Sequence, residues 1–200
     1  MQAWVAYMKA QAGDDLVWSS GFHFGDWLAY STTNPAYPGA TTGTDVIATA
    51  FFAHSTSLLA KTARVLGRES DRLAYEALAS DIRAAFQKEF VTATGRVAEN
   101  TQTAYALSLN FDLLAQTQRP EAARRLAADV RERENHLTTG FLGTPYINDV
   151  LTRFGHLDVA YDLLLQESYP SWLYPVTQGA TTIWSAGTAR SQMARFKAPR

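Results

Sequence analysis

An all-α fold of paired helices is what this sequence predicts, and three observations predict it. Apolar residues recur at three- and four-residue spacing from one end of the chain to the other, while strand-like alternation is scarce. Of the 200 residues, 46% are apolar and 18% charged, enough to bury a sizeable core in one domain of ordinary size. The links between periodic stretches alternate short and long, the pattern expected of helical hairpins whose long connections share one end.

Residues 2–12 read as a first helix. The next spans 44–66, where Val46, Ile47, Ala50, Phe51, His54, Leu58, Leu59, Thr62 and Val65 keep helical spacing and Gly67 offers a stop. Its partner starts at Ser70 as N-cap and carries Leu73, Ala77, Leu78, Ile82, Ala85, Phe86 and Phe90 on one face. Residues 103–115 are apolar almost all round, which predicts a helix buried on every side. Pro120 opens a charged helix that turns Glu121, Arg124, Arg125, Asp129 and Arg131 to solvent. Residues 146–154 and 157–166 form a last pair around Gly155. Short links at 67–70, 116–119 and 155 thus alternate with long ones at 13–43, 92–102, 134–145 and 167–182. No fixed sequence period marks a solenoid.

Composition excludes several classes. Eighteen Lys and Arg against nineteen Asp and Glu leave a net charge of −1, no footprint for nucleic acid or an anionic membrane. The chain has no Cys, so disulfides, thiolate metal sites and Cys nucleophiles are out. No apolar run reaches the roughly 18 residues a bilayer requires, and the start lacks the basic flank of a signal peptide. A cytoplasmic location is the default expectation. His23, His54, His136 and His156 show no ligand spacing, so neither a metal nor another cofactor is expected.

Chemistry concentrates in the long links. Trp18, Trp27, Trp172 and Trp184 lie in or beside them, with Phe22, Phe24, Tyr30, Tyr37, Phe141, Tyr146, Tyr169 and Tyr174. Aromatic faces beside fixed polar groups suit a sugar, although any one such ring is equally at home plugging the end of a helical core. In Gly21–Leu28, GFHFGDWL, two glycines turn the backbone tightly around an acid and an indole. Asp26 either binds a sugar hydroxyl or caps the segment that follows; the sequence leaves both open. His23 reads as a partner within the turn rather than a proton shuttle. Asp14, Asp15, Glu99, Asp149 and Glu167 are acid/base candidates only by elimination.

Four ordered segments, GFHFGDWL at 21–28, TGFLGTPYI at 139–147, YPSW at 169–172 and QGATTIW at 178–184, resemble the bacterial α-L-rhamnosidases of glycoside hydrolase family 78. The resemblance implies a six-hairpin (α/α)6 barrel, here partial and truncated at both ends, that releases terminal L-rhamnose with inversion. Inversion requires one carboxylic acid to protonate the leaving oxygen and a second carboxylate to activate water across the ring. Carried over by position, Asp26 and Trp27 belong to the rhamnose subsite, Trp27 as its wall, and Tyr146 and Trp184 lie near the pocket; with His23 of the same turn they make up the expected substrate-binding set. A rhamnose-containing glycoside is the implied partner.

The departures from the family pattern matter as much. Its general acid lies in an Asp-Glu-Arg followed by Gly-Trp, which this chain lacks. Where the family continues after Thr-Ile-Trp with Glu-Arg-Trp-Asp, its Glu the general base, this chain has Ser185-Ala186-Gly187-Thr188. A serine hydroxyl is far too weak a base to replace that carboxylate. Restoring a single G after the Trp184 codon permits Ser185–Ala194 to read Glu-Arg-Trp-Asp-Gly-Thr-Leu-Pro-Asp-Gly, so a frameshift is the expected origin of the tail. The expectation is therefore a C-terminal part of a catalytic domain over 1–185, and a non-family, disordered tail over 186–200. Such a chain is expected to be inactive alone and to self-associate through exposed apolar faces. The alternatives are another six-hairpin glycosidase, or a non-catalytic carbohydrate-binding or helical scaffold module.

Overall fold

The computed structural model describes residues 1–29 and 41–182. Helix follows helix: α1 (Gln2–Ala12), α2 (Thr44–Val65), α3 (Glu69–Phe90), α4 (Gln102–Asn110), α5 (Arg119–Glu132), α6 (Thr144–Arg153), α7 (Leu157–Leu164) and the single turn α8 (Tyr174–Thr177). Among the described residues the only extended pairing is an isolated bridge between Val91 and Val97. The all-α reading holds.

Sequence dictates two layers. Hairpins α2/α3, α4/α5 and α6/α7 stand side by side, with α4 between α2 and α6. Every residue from Gln102 to Leu109 is buried, so α4 is enclosed on all sides as its unbroken apolar character requires. The charged helices α3 and α5 lie outside, where Arg64–Glu76, Arg72–Glu69 and Arg124–Glu121 pair in solvent and contribute little to stability. Phe52, Ile82, Phe86, Leu107, Leu126 and Ile147 fill the space between the layers.

The short links share one device. The N–H groups of Arg68, Leu113 and His156 bond back to the carbonyls of Ala63, Ser108 and Leu151 at 2.9, 2.9 and 2.8 Å. Each closure follows a left-handed residue, Gly67, Asp112 or Gly155, so α2, α4 and α6 all end in the same six-to-one turn. This turn explains two departures from the sequence reading. The helix expected over 103–115 stops at Asn110 although its apolar pattern continues, because Leu113 and Leu114 are buried beyond the turn as its hydrophobic plug. Ser70 is not an N-cap: the turn hands the chain to α3 directly, and Arg72 N–H already bonds Arg68 C=O at 2.9 Å. The last helix ends at Leu164 rather than 166, and α8 has no counterpart in the sequence reading.

The N-termini of α2, α4 and α6 meet at the opposite end, where the long links lie. Thr42 and Thr101, one before each helix, join through their hydroxyls at 2.6 Å, and Gly43 N–H donates to the Glu99 carboxylate. Leu137 N–H reaches Pro170 C=O, and His136 reaches the Ser168 hydroxyl at 2.8 Å. The expected clustering of links is what the structure has, with one qualification: the tip of 92–95 folds back toward Gln118 at the start of α5.

Candidate functional site

Three consecutive residues at the start of α4 organise this end of the molecule. Thr101 caps the helix by accepting from Ala104 N–H at 3.1 Å. Gln102, wholly buried, donates to His136 C=O at 3.1 Å and accepts from Thr138 N–H at 2.9 Å, gripping the α5–α6 link as a neighbouring strand would. Thr103 donates its hydroxyl to Asp26.

Asp26 is the surprise of the site. It is 0% exposed. One carboxylate oxygen accepts from Thr103 and from Gly140 N–H at 2.7 Å; the other accepts from Leu142 N–H at 2.7 Å and Gly143 N–H at 3.1 Å. Neither alternative left open by the sequence applies: the carboxylate has no face for a sugar hydroxyl, and it caps a loop more than a hundred residues away rather than the segment that follows. Gly140 and Gly143 are what allow this approach. A Cβ on Gly140 would run into the backbone oxygens of Trp27 and Asp26, and one on Gly143 into the Thr103 hydroxyl. The turn itself is tight, with Gly25 at φ 59° and Leu28 at φ 64°.

With the acid held inward, the aromatic side chains face out. Trp27 is 38% exposed, and its C=O accepts from Phe141 N–H at 3.0 Å, which sets the two residues beside each other. Phe24 meets Trp27 edge to face at 5.3 Å, and Phe22 meets Phe24 likewise at 5.0 Å. His23 accepts from Gly25 N–H at 3.1 Å through Nδ1 and lies 6.3 Å from the Trp18 ring, a partner within the turn. Tyr146, on the first turn of α6, packs edge to face on Phe111 at 5.3 Å. Behind it the His54 ring stacks on Phe111 at 4.0 Å, and burial, with Lys61 adding to it, holds the imidazole below its ordinary pKa. Trp184 and Ser185, and also Tyr30 and Tyr37, fall outside the described residues.

The carboxylates that elimination left as acid/base candidates do not assemble. Asp14, Asp15, Asp149 and Glu167 are all exposed, and Glu99, at φ 64°, holds Gly43 N–H. Among the described residues no group of three potential metal ligands converges, and no helix is long and apolar enough to cross a membrane.

Over residues 1–193 the chain matches the model of the bacterial alpha-L-rhamnosidase 6 hairpin glycosidase domain. The protein belongs to this family. An alpha-L-rhamnosidase of Formosa agariphila is 42% identical over 198 residues, 98% of this chain and 21% of the relative. One of Streptomyces avermitilis is 41% identical over 199 residues, 100% of this chain and 18% of the relative. The crystal structure of the Streptomyces avermitilis alpha-L-rhamnosidase complexed with L-rhamnose matches with a TM-score of 0.85 at 42% identity, over 94% of this chain and 17% of that one. That of the native enzyme from Aspergillus terreus matches with a TM-score of 0.83 at 30% identity, over 94% and 23%. The chain thus spans about a fifth of the length of its rhamnosidase relatives. Its helical hairpins are those of the six-hairpin glycosidase fold.

Reading the sequence missed Gln102 and Thr103, the two residues that fasten the rhamnosidase-family rim. A signal was present: Asn100-Thr101-Gln102-Thr103 is a polar run opening an otherwise apolar helix, and polar residues enclosed in that way must have partners.

Proposed function

We propose that the Trp27–Phe141 rim is part of the rhamnose site of an inverting alpha-L-rhamnosidase, a glycoside hydrolase that removes terminal α-L-rhamnose. The observation that carries this reading is the fastening of the long links at the N-terminal ends of three inner helices, which turns an aromatic wall outward from a rigid, polar-locked base. An indole face packs well on the C–H face of a deoxy sugar, and a fixed base limits the ordering cost of binding. Membership of the family and the likeness to a relative crystallised with L-rhamnose support it. Trp27 serves as the wall, with His23, Tyr146 and Trp184 beside the pocket.

These 200 residues alone bind but do not turn over, because neither carboxylate of the inverting pair is present in recognisable sequence context. The tail over 186–200 arises from a single-base shift. The family match extends beyond Ser185 to residue 193, so nucleotide sequence is the deciding measurement: a one-base restoration must recover Glu-Arg-Trp-Asp after Trp184.

Calorimetry with L-rhamnose, run beside a release assay on an aryl α-L-rhamnoside, tests the function. Binding without release is expected. Release would refute the account of the missing carboxylates, and absence of binding would remove the sugar site from this chain.

A further inference from the structure

We infer that Asp26 is a positioning residue that works as a buried anion, setting the aromatic wall of the rim by holding the 140–143 loop against the Gly25–Ala29 turn. The inference rests on the reading of that rim as a sugar site for its consequence in binding, but the positioning itself rests on geometry alone.

A carboxylate has two oxygens with about two lone-pair directions each, and here all four are taken by donors from two separate places in the chain. Gly140, Leu142 and Gly143 present backbone N–H groups from the loop that enters α6, and Thr103 presents its hydroxyl from the first turn of α4. The anion therefore stands at the N-terminal ends of two helices, whose dipoles favour negative charge there. Among the described residues no ion pair joins it. Neutral donors and two helix ends do the work a cation would otherwise do.

This arrangement couples two segments that are remote in sequence. Asp26 fixes the loop from one side, and the next residue accepts from Phe141 N–H, so the carboxylate and the Trp27 carbonyl act as adjacent rungs on the same loop. The indole of Trp27 and the ring of Phe141, both partly exposed to solvent, inherit their relative placement from those rungs. Substitution by asparagine keeps the shape of the side chain but turns one acceptor oxygen into an NH2 group. That group faces Leu142 and Gly143 N–H on one side or Gly140 N–H beside the rotatable Thr103 hydroxyl on the other, so at least one bond is replaced by a donor–donor contact.

The test is amide- and indole-detected NMR of the full chain, titrated with L-rhamnose, for Asp26→Asn and Thr103→Val. In Asp26→Asn the amide signals of Gly140, Leu142 and Gly143 and the indole signal of Trp27 move, those of Trp18 and Trp172 stay, and L-rhamnose affinity falls about tenfold. Thr103→Val, which removes one donor, moves the same signals less and weakens affinity about threefold. Unchanged amide and Trp27 signals in Asp26→Asn would overturn the inference. Equal displacement of the Trp18 and Trp172 signals would also overturn it, because it would show general loss of structure rather than local positioning. If Asp26→Asn does not fold, Thr103→Val decides by the same signals. If the unaltered chain shows no response to L-rhamnose, the sugar reading fails, while the amide and Trp27 signals still decide whether Asp26 positions the rim.

Discussion

The two ends of the burial problem stand side by side in this molecule. At the start of α4, polar groups are enclosed and satisfied: Gln102 and Asp26 are both 0% exposed, and, the Thr103 hydroxyl apart, every side-chain bond they make runs to the one link at 134–145. On the faces of α1 and α7, apolar groups are exposed and uncovered: Met1, Trp4 and Tyr7 on one, Leu157, Tyr161, Leu164 and Leu165 on the other. Buried polar groups with full partners specify one geometry, whereas exposed apolar ones specify only that something should cover them. The rim has one specified geometry, and the flanks are apolar surface with nothing packed on it among the described residues.

The contrast predicts a wide spread of mutational cost. Gln102→Ala should be the most damaging of the changes considered, since it leaves His136 C=O and Thr138 N–H buried without a partner. At about 1–3 kcal/mol for each orphaned group, the loss is about 2–6 kcal/mol, read as a fall in the urea midpoint at constant slope. A cost below about 0.5 kcal/mol would mean the rim is no more specified than the flanks. Gly140→Ala comes next. Its methyl meets backbone of Trp27, Asp26 and Ala29 rather than a side chain able to swing away, so about 1–3 kcal/mol of overpacking is expected. The Trp27 fluorescence should shift with it, whereas Gly155→Ala, where a Cβ meets nothing within 4 Å, should cost only the left-handed backbone and leave fluorescence alone.

Most of the fold was legible in the sequence, and the exceptions have a common cause. Periodicity placed α1, α2, α5, α6 and α7 because each has one face that solvent sees and one that it does not. It overran α4, where Leu113 and Leu114 continue the apolar pattern into the turn that Asp112 closes. In the site, the GFHFGDWL segment was singled out by its residues, yet the expected partnership of acid and indole came apart. Asp26 turns in and Trp27 turns out. Three of the four partners of Asp26 are backbone N–H groups 114 to 117 residues away, and a backbone donor leaves no residue-type signature to be read. Only the glycines at 140 and 143 hinted at a close approach, and only Gln102 and Thr103 hinted at polar groups with somewhere to go.

A smaller effect concerns the aromatic group behind the rim. The half-buried His54 ring stacks on Phe111 beside Phe51, and burial, helped by the positive charge of Lys61, favours the neutral imidazole in the folded state. Its folded pKa lies below the ordinary value of 6.5, so its contribution is fully present above that value and is lost as the pH falls through the lowered one. Melting temperature should therefore decline as the pH is lowered through 6.5 and below. The decline should lessen in His54→Phe, which keeps the stack and cannot be protonated. An identical slope in that variant would assign the pH dependence elsewhere.

The smallest change in stability is expected at the flanks, where the difference from the rim is sharpest. Trp4→Ser with Tyr161→Ser removes one large ring from each exposed face, and because neither is enclosed the combined change should stay within about 1 kcal/mol. The measurable consequence lies in association instead. We propose that copies of the chain meet through these two faces, so sedimentation velocity should show concentration-dependent species for the unaltered chain and a shift toward monomer for the double variant. Removing only one ring should weaken association by an intermediate amount if each contact joins the α1 face of one copy to the α7 face of the next. A chain that sediments as a monomer at all concentrations, with the rings in place, would show that the flanks need no neighbour and would reduce the contrast with the rim to one of surface composition.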